Sequence, residues 1–323
     1  MATSAFGAWR TSFNLRKVAG VWAITSYFNP VGFKRRLSNY RIFRANLAVP
    51  LVTVELSFDG RFELTDDDAD ILIQLSDGAV LWQKERLLNL AVKAVPSDVN
   101  KIAWLDCDVI LNRTDWIDEA ARQLEEFNVV QLFSGAIHLK SDQYAQESDR
   151  HTGHSVVPAI ATLCNARELL EFGANQQTPP VYQEGLAWAT HRRLLEDHSF
   201  YDAAIVGGGD SLMMAAMYGR YEGLMRRCMF NASRQDHYLR WAKPFQNSVA
   251  GRIGHISGTI YHLPHGHRKN RAYRDRHCRL AALDFDPDID IKVGGNGAWH
   301  WARPRPDLED FLRKYFVSRA EDE

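Results

Sequence analysis

A chain of 323 residues, 46% hydrophobic and 24% charged, has the composition of a globular protein with length for a large core. Its formal net charge of −1 supplies no overall field demanding a nucleic acid or membrane partner, and no run approaches the ~18 apolar residues of a membrane span. The four cysteines (Cys107, Cys164, Cys228, Cys278) form no C-x-x-C pair, which argues against a structural zinc site or a disulfide framework. The basic start, MATSAFGAWRTSFNLRK, leads into no signal-peptide core. A soluble, cytoplasmic protein is expected.

The first β-prone run, VWAITSYF (21–28), stops at Asn29-Pro30, as a buried strand entering a loop does. GFKRRLSNYRIFRANLA then carries Phe33, Leu37, Tyr40 and Phe43 at helical spacing. PLVTVELSF (50–58) and ADILIQLS (69–76) read as two more strands. WQKERLLNLAVKAVP is an amphipathic helix halted by Pro96, and KIAWLDCDVIL (101–111) reads as one buried strand. DWIDEAARQLEEF returns as a helix and VVQLFSGAIHLK as another strand. This alternation predicts an α/β fold, Rossmann-like, with a mainly parallel sheet flanked by helices. Residues 141–180, polar and containing His151, Gly153, His154 and Pro179-Pro180, read as a long loop. Structure resumes with GLAWATHRRLLEDHSFYDAAIVGGGDSLMMAAMYG; LEDFLRKYFVSRAEDE closes the chain as a helix and acidic tail.

Asp106 and Asp108 stand at the end of an apolar run. Strand residues two apart share a face, so a D-x-D at a strand's C-terminal end aims both carboxylates into the crevice where α/β sheets bind ligands. Such hard oxygen ligands suit Mg²⁺ or Mn²⁺, which bridge diphosphates. Chance strand-end charges are the competing reading.

Three further segments accompany the pair. WQKERLLNLA resembles the F-N-R-A-x-L-L-N donor-site helix of β-1,4-type galactosyltransferases, with Trp82 on the aromatic, Lys84 on the basic residue and Leu87-Leu88-Asn89 on L-L-N. AIVGGGDS (204–211) resembles their W-G-G-E-D turn, shared with the polypeptide GalNAc-transferase type, and YHLPHGHRKN (261–270) resembles their M-x-x-H-S-R stretch. The resemblance spans most of residues 21–270 and implies a GT-A glycosyltransferase with a C-terminal helical elaboration. Gly209 stands where the family has an acidic residue and His262 where it has methionine. The Golgi enzymes' membrane anchor is missing, which suits a bacterial or phage relative.

The resemblance implies a UDP-sugar donor and Mn²⁺ (or Mg²⁺) held by Asp106, Asp108 and His265, with His262 as a possible fourth ligand. Asp210 falls on the catalytic acid, implying a general base and inversion; capping of the following helix is its alternative role. Gly208 and Gly209 let the backbone approach a bound sugar. Trp82, Lys84 and Asp106 fall on the donor side. Arg35, Arg36 and Lys84 offer charge-assisted bonds to uridine and phosphates, or are exposed helix charges. Asp77 would reach the nucleotide or serve a Ser-Asp-Gly turn. Trp188 and Tyr182 would line the acceptor side or fill the core. A zinc site at His277 and Cys278 lacks ligand spacing.

One GT-A domain is expected: a nucleotide-sugar half at 18–140, an acceptor and catalytic half at 141–283, and an extension at 284–323. The acceptor would be a glycan, a small molecule or a hydroxylated base in phage DNA, the last held by the basic segment 267–279. A nucleotidyltransferase is a competing enzyme, although FNPVGFKRR has only one glycine for a phosphate loop. A non-enzymatic carbohydrate- or nucleic-acid-binding module is the third reading.

Overall fold

The computed structural model describes residues 20–140, 155–163, 166 and 182–323. His151, Gly153, His154, Pro179-Pro180 and Cys164 lie outside the described residues. The first half runs β1 (Val21–Phe28), α1 (Lys34–Ala45), β2 (Leu51–Ser57), β3 (Ile71–Ser76), α2 (Lys84–Ala94) and β4 (Lys101–Leu105). Next come β5 (Val109–Leu111), α3 (Trp116–Gln123), β6 (Val129–Gln131), β7 (Gly135–His138) and β8 (Val157–Pro158). The stretch read as a loop therefore holds a short strand. Then follow β9 (Ala187–His191), α4 (Arg192–His198), α5 (Gly209–Tyr218), α6 (Tyr221–Arg227), α7 (Ala232–Val249), β10 (Ile253–His255) and β11 (Thr259–His262). The last elements are α8 (Asp275–Ala282), α9 (Pro287–Asp290), β12 (Ile291–Val293), β13 (Trp299–Trp301) and α10 (Pro306–Ser318).

Seven strands form a central sheet in the order β10-β6-β9-β4-β1-β2-β3. It is mainly parallel; β9 runs against both β4 and β6. Successive β1 side chains enter opposite apolar layers, as a strand covered on both faces requires. Ile24 and Phe28 join Leu87, Leu88 and Val92 of α2 and residues of α5, α7 and α10. Val21 and Ala23 join Phe43 of α1 and Trp116 and Ile117 of α3. Leu87 and Leu88 are almost fully buried, and each such side chain contributes about 1.5–3 kcal/mol.

A second sheet has the order β5-β11-β7-β8. Its existence corrects two expectations. KIAWLDCDVIL is not one strand: β4 belongs to the central sheet and β5 to the second, and the chain crosses between them at Asp106–Asp108. VVQLFSGAIHLK divides in the same way into β6 and β7. Each run is mostly apolar on both sides of the crossing, so periodicity alone does not tell the two strands apart.

Candidate active site

The crossing from β4 to β5 fixes the two aspartates through the backbone. The Asp106 N–H donates to the Leu186 carbonyl at 2.8 Å, and the Asp108 carbonyl accepts from the Leu263 N–H at 2.8 Å. Because β5 pairs with the end of β11, with His262 opposite Val109, Asp108 faces the HLPHG turn. His265 Nε2 lies 3.0 Å from Asp108 Oδ2, His262 Nε2 lies 3.7 Å from Oδ1, and the two Nε2 atoms are 3.3 Å apart. One ligand atom from each of Asp108, His262 and His265 falls within 4.8 Å of the others.

Asp108 Oδ1 is buried without a hydrogen-bond partner. A carboxylate oxygen and two imidazole nitrogens facing one another are a donor set for a transition-metal dication, and an orphaned oxygen among them fits such an ion. Burial alone would raise the Asp108 carboxyl, but His262 and His265 hold it well below the usual carboxylate range. Desolvation holds His262 well below the ordinary histidine value, toward the neutral form that ligates metals. His138, absent from the expected site residues, braces His262: β7 pairs with β11, and their Nδ1 atoms are 3.2 Å apart. Alternation along AIH was the available signal, but the strand pairing spans 124 residues.

Asp106 turns away from that group toward Lys84, whose Nζ lies 2.5 Å from Asp106 Oδ1 and 3.0 Å from Asp210 Oδ1. Lys84 opens α2, and the preceding Gln83 is locked to β13 by Trp299 N–H donating to Gln83 Oε1 at 2.8 Å. Burial pushes Asp106 up to about 6 against the pull of Lys84. Asp210 lies in the first turn of α5, whose cap is Gly208, so Asp210 is not the N-cap. Gly208 has a φ of 94°, and a Cβ there would approach Arg276 and His277. Glu85 was also missed by sequence reading. It is buried against Gly209, where any Gly209 side chain would run into its carboxyl, and desolvation pushes it up to about 8.

The C-terminal segment engages both arginines: Arg35 Nη2 donates to the Asp322 carbonyl at 3.2 Å, and Arg36 meets Glu321. Asp322 accepts from the Lys34 and Arg35 N–H groups at the start of α1, at 3.1 and 2.8 Å. Glu321 binds Arg36 through two contacts, at 2.5 and 3.0 Å. No local pattern announces a partner 285 residues away. Trp82 stacks on Phe316 with ring centroids 6.3 Å apart, and its buried Nε1 has no partner. Asp77 sits exposed after β3 with φ 72°, and its carbonyl accepts from Asn296. Trp188 and Tyr182 are core residues rather than an exposed sugar platform; Trp188 stacks beside Trp104. The basic segment divides: Arg268, Lys269, Arg274 and Arg279 are exposed, whereas Arg276 and His277 are buried. Neither His277 nor Cys278 belongs to the metal-type group.

No protein-family model and no curated protein matches the sequence. Among solved structures, the chain is similar to glucosyl-3-phosphoglycerate synthase from Mycobacterium tuberculosis in complex with Mn²⁺, UDP and phosphoglyceric acid. That match has 13% identity, covers 90% of each chain and has a TM-score of 0.41. The mannosyltransferase PcManGT from Pyrobaculum calidifontis, in complex with GDP-Man and Mn²⁺, matches at 13% identity over 92% of this chain and 69% of its own, with a TM-score of 0.39. S. aureus TarS 1–349 matches at 14% identity over 93% of this chain and 71% of its own, with a TM-score of 0.38. Among the described residues, no helix is long and apolar enough to cross a membrane.

Proposed function

We propose that the protein is a GT-A glycosyltransferase that moves a sugar from a UDP-sugar to an acceptor hydroxyl. The observation that carries this reading is the convergence of Asp108, His262 and His265 at the end of β4, beside the Lys84–Asp106–Asp210 cluster. Asp108, His262 and His265 would hold Mn²⁺ or Mg²⁺. When bound, the ion supplies Lewis-acid stabilisation of the diphosphate leaving group.

The chain's own residues do the rest. Lys84 holds Asp106 and Asp210 on one cation, which fixes where the Asp210 carboxylate stands. Asp210, about one-third exposed at its side chain, takes the proton of the attacking hydroxyl as a general base, with inversion at the anomeric carbon. Gly185 packs against Asp210 so closely that a Cβ would lie 2.6 Å from its carboxylate, leaving that carboxylate little freedom to swing toward β9. The acceptor is a hydroxyl of a glycan or small molecule. A DNA track would have to use the exposed part of the basic segment alone.

A thermal-shift panel of nucleotide sugars, with and without Mn²⁺, tests the reading. UDP-sugars are expected to raise the melting temperature only with the metal present, and Asp108→Ala is expected to abolish that shift. An unchanged metal-dependent shift in Asp108→Ala sinks the metal assignment. Release of pyrophosphate rather than UDP would instead indicate a nucleotidyltransferase.

A further inference from the structure

We infer that Glu321, in the segment following α10, is a positioning residue for the metal centre, holding the His265 ring so that Nε2 faces Asp108. This rests on the reading of Asp108, His262 and His265 as a metal centre. Glu321 is 1% exposed, and its Oε1 lies 3.9 Å from His265 Nδ1, on the ring edge opposite the nitrogen that meets Asp108. At 3.9 Å the contact is one of charge rather than a formed hydrogen bond; a carboxylate behind a ligating histidine favours the tautomer whose proton faces it and so orients the ring.

Two arginines hold the Glu321 carboxylate. Arg36 reaches it from α1, and Arg319 Nε donates to Oε1 at 2.5 Å. The backbone of the segment is held as well. A Cβ on Gly266, one residue past His265, would stand 2.7 Å from the Arg319 carbonyl and 2.9 Å from the Ala320 carbonyl. The HLPHG turn and the Glu321 segment therefore fit only in close register.

Arg271 borders the same ring: its Nη2 lies 2.7 Å from His265 Nε2 and 3.4 Å from Nδ1. The tautomer able to ligate through Nε2 is the one with its proton on Nδ1, the edge that faces Glu321.

The test is Mn²⁺ binding by the full chain, measured by calorimetry and by the electron-spin signal of bound Mn²⁺, with the metal alone. Glu321→Gln keeps the shape and removes the charge, and is expected to weaken Mn²⁺ binding about 10–100-fold. Asp322→Asn disturbs the same segment without touching His265 and is expected to keep wild-type affinity. Folded Glu321→Gln with wild-type affinity overturns the inference, as does an equal loss in Asp322→Asn. Should Glu321→Gln not fold, imidazole nitrogen shifts of Cd²⁺-loaded wild type decide: ligation through His265 Nε2 with the proton on Nδ1 supports the inference, and ligation through Nδ1 overturns it. A wild-type protein that binds no Mn²⁺ overturns the metal-centre reading itself and this inference with it.

Discussion

Glu85 shows how far a single buried carboxyl departs from solution behaviour. Burial pushes it up to about 8 from the ordinary 4.5, despite Lys84 beside it in sequence. In the folded chain the carboxyl keeps its proton where the unfolded chain has lost it. The folded state thus holds the extra proton between about pH 4.5 and 8. This group's contribution to stability is full below about 4.5 and is lost as pH rises toward 8. Glu85→Gln, neutral at every pH, is expected to flatten the fall in melting temperature across that window, as read by calorimetric scans at half-unit steps. A slope identical to wild type would show that Glu85 ionises normally. Asp108, His262 and His265 were legible in the sequence because each sits in a short motif. Glu85, His138 and Glu321 were not, because their roles depend on neighbours supplied by distant segments.

At the scale of elements, the start of α5 is set by its contact with the start of α2. Gly209 has no side chain because the Glu85 carboxyl fills that space. Gly209→Ala is expected to cost about 1–3 kcal/mol through overpacking, measured by denaturant unfolding. Adding Glu85→Ala should recover part of that loss, since the clash disappears with the carboxyl. Simple additivity of the two substitutions would refute direct coupling. Helices and strands of the first half follow from sequence because their apolar periodicity is local. The strand KIAWLDCDVIL was misread as continuous because the break occurs by transfer between sheets, a partner choice that no residue within the run encodes. The β12–β13 hairpin likewise escaped reading, although Gly294-Gly295-Asn296-Gly297 marks its turn.

Across the whole molecule, the central sheet is covered by two apolar layers, and the aspartates emerge at the end of β4. That much follows from α/β alternation. The closing of the site by the segment after α10 does not, since Glu321 and Asp322 meet α1 only once the chain has folded around the sheet. Of the acidic tail in sequence, Glu321 became a buried partner of two arginines in space, while Asp322 and Glu323 stay exposed. Charge runs announce sign and density, while their burial depends on arginines brought from elsewhere.

The second sheet is tethered to the first by three links of equal length: residues 106–108, 132–134 and 256–258 each join a central strand to a strand of the smaller sheet. Links this short leave no slack to absorb a change in length. A single glycine inserted after Phe133 would have to be taken up in β7, where a one-residue slip exchanges inward and outward side chains. His138 would then leave His262, and the imidazole pair would lose its brace. Such an insertion is expected to abolish Mn²⁺ binding while the central sheet still folds, visible as retained far-ultraviolet dichroism. The same insertion in the exposed turn at Gly295, within the separate β12–β13 hairpin, should leave binding intact. Undiminished Mn²⁺ binding after insertion at Phe133 would show that the small sheet adjusts independently. The tethers thus act as a ruler: indel tolerance, residue by residue, maps which parts of the backbone carry the geometry of the centre.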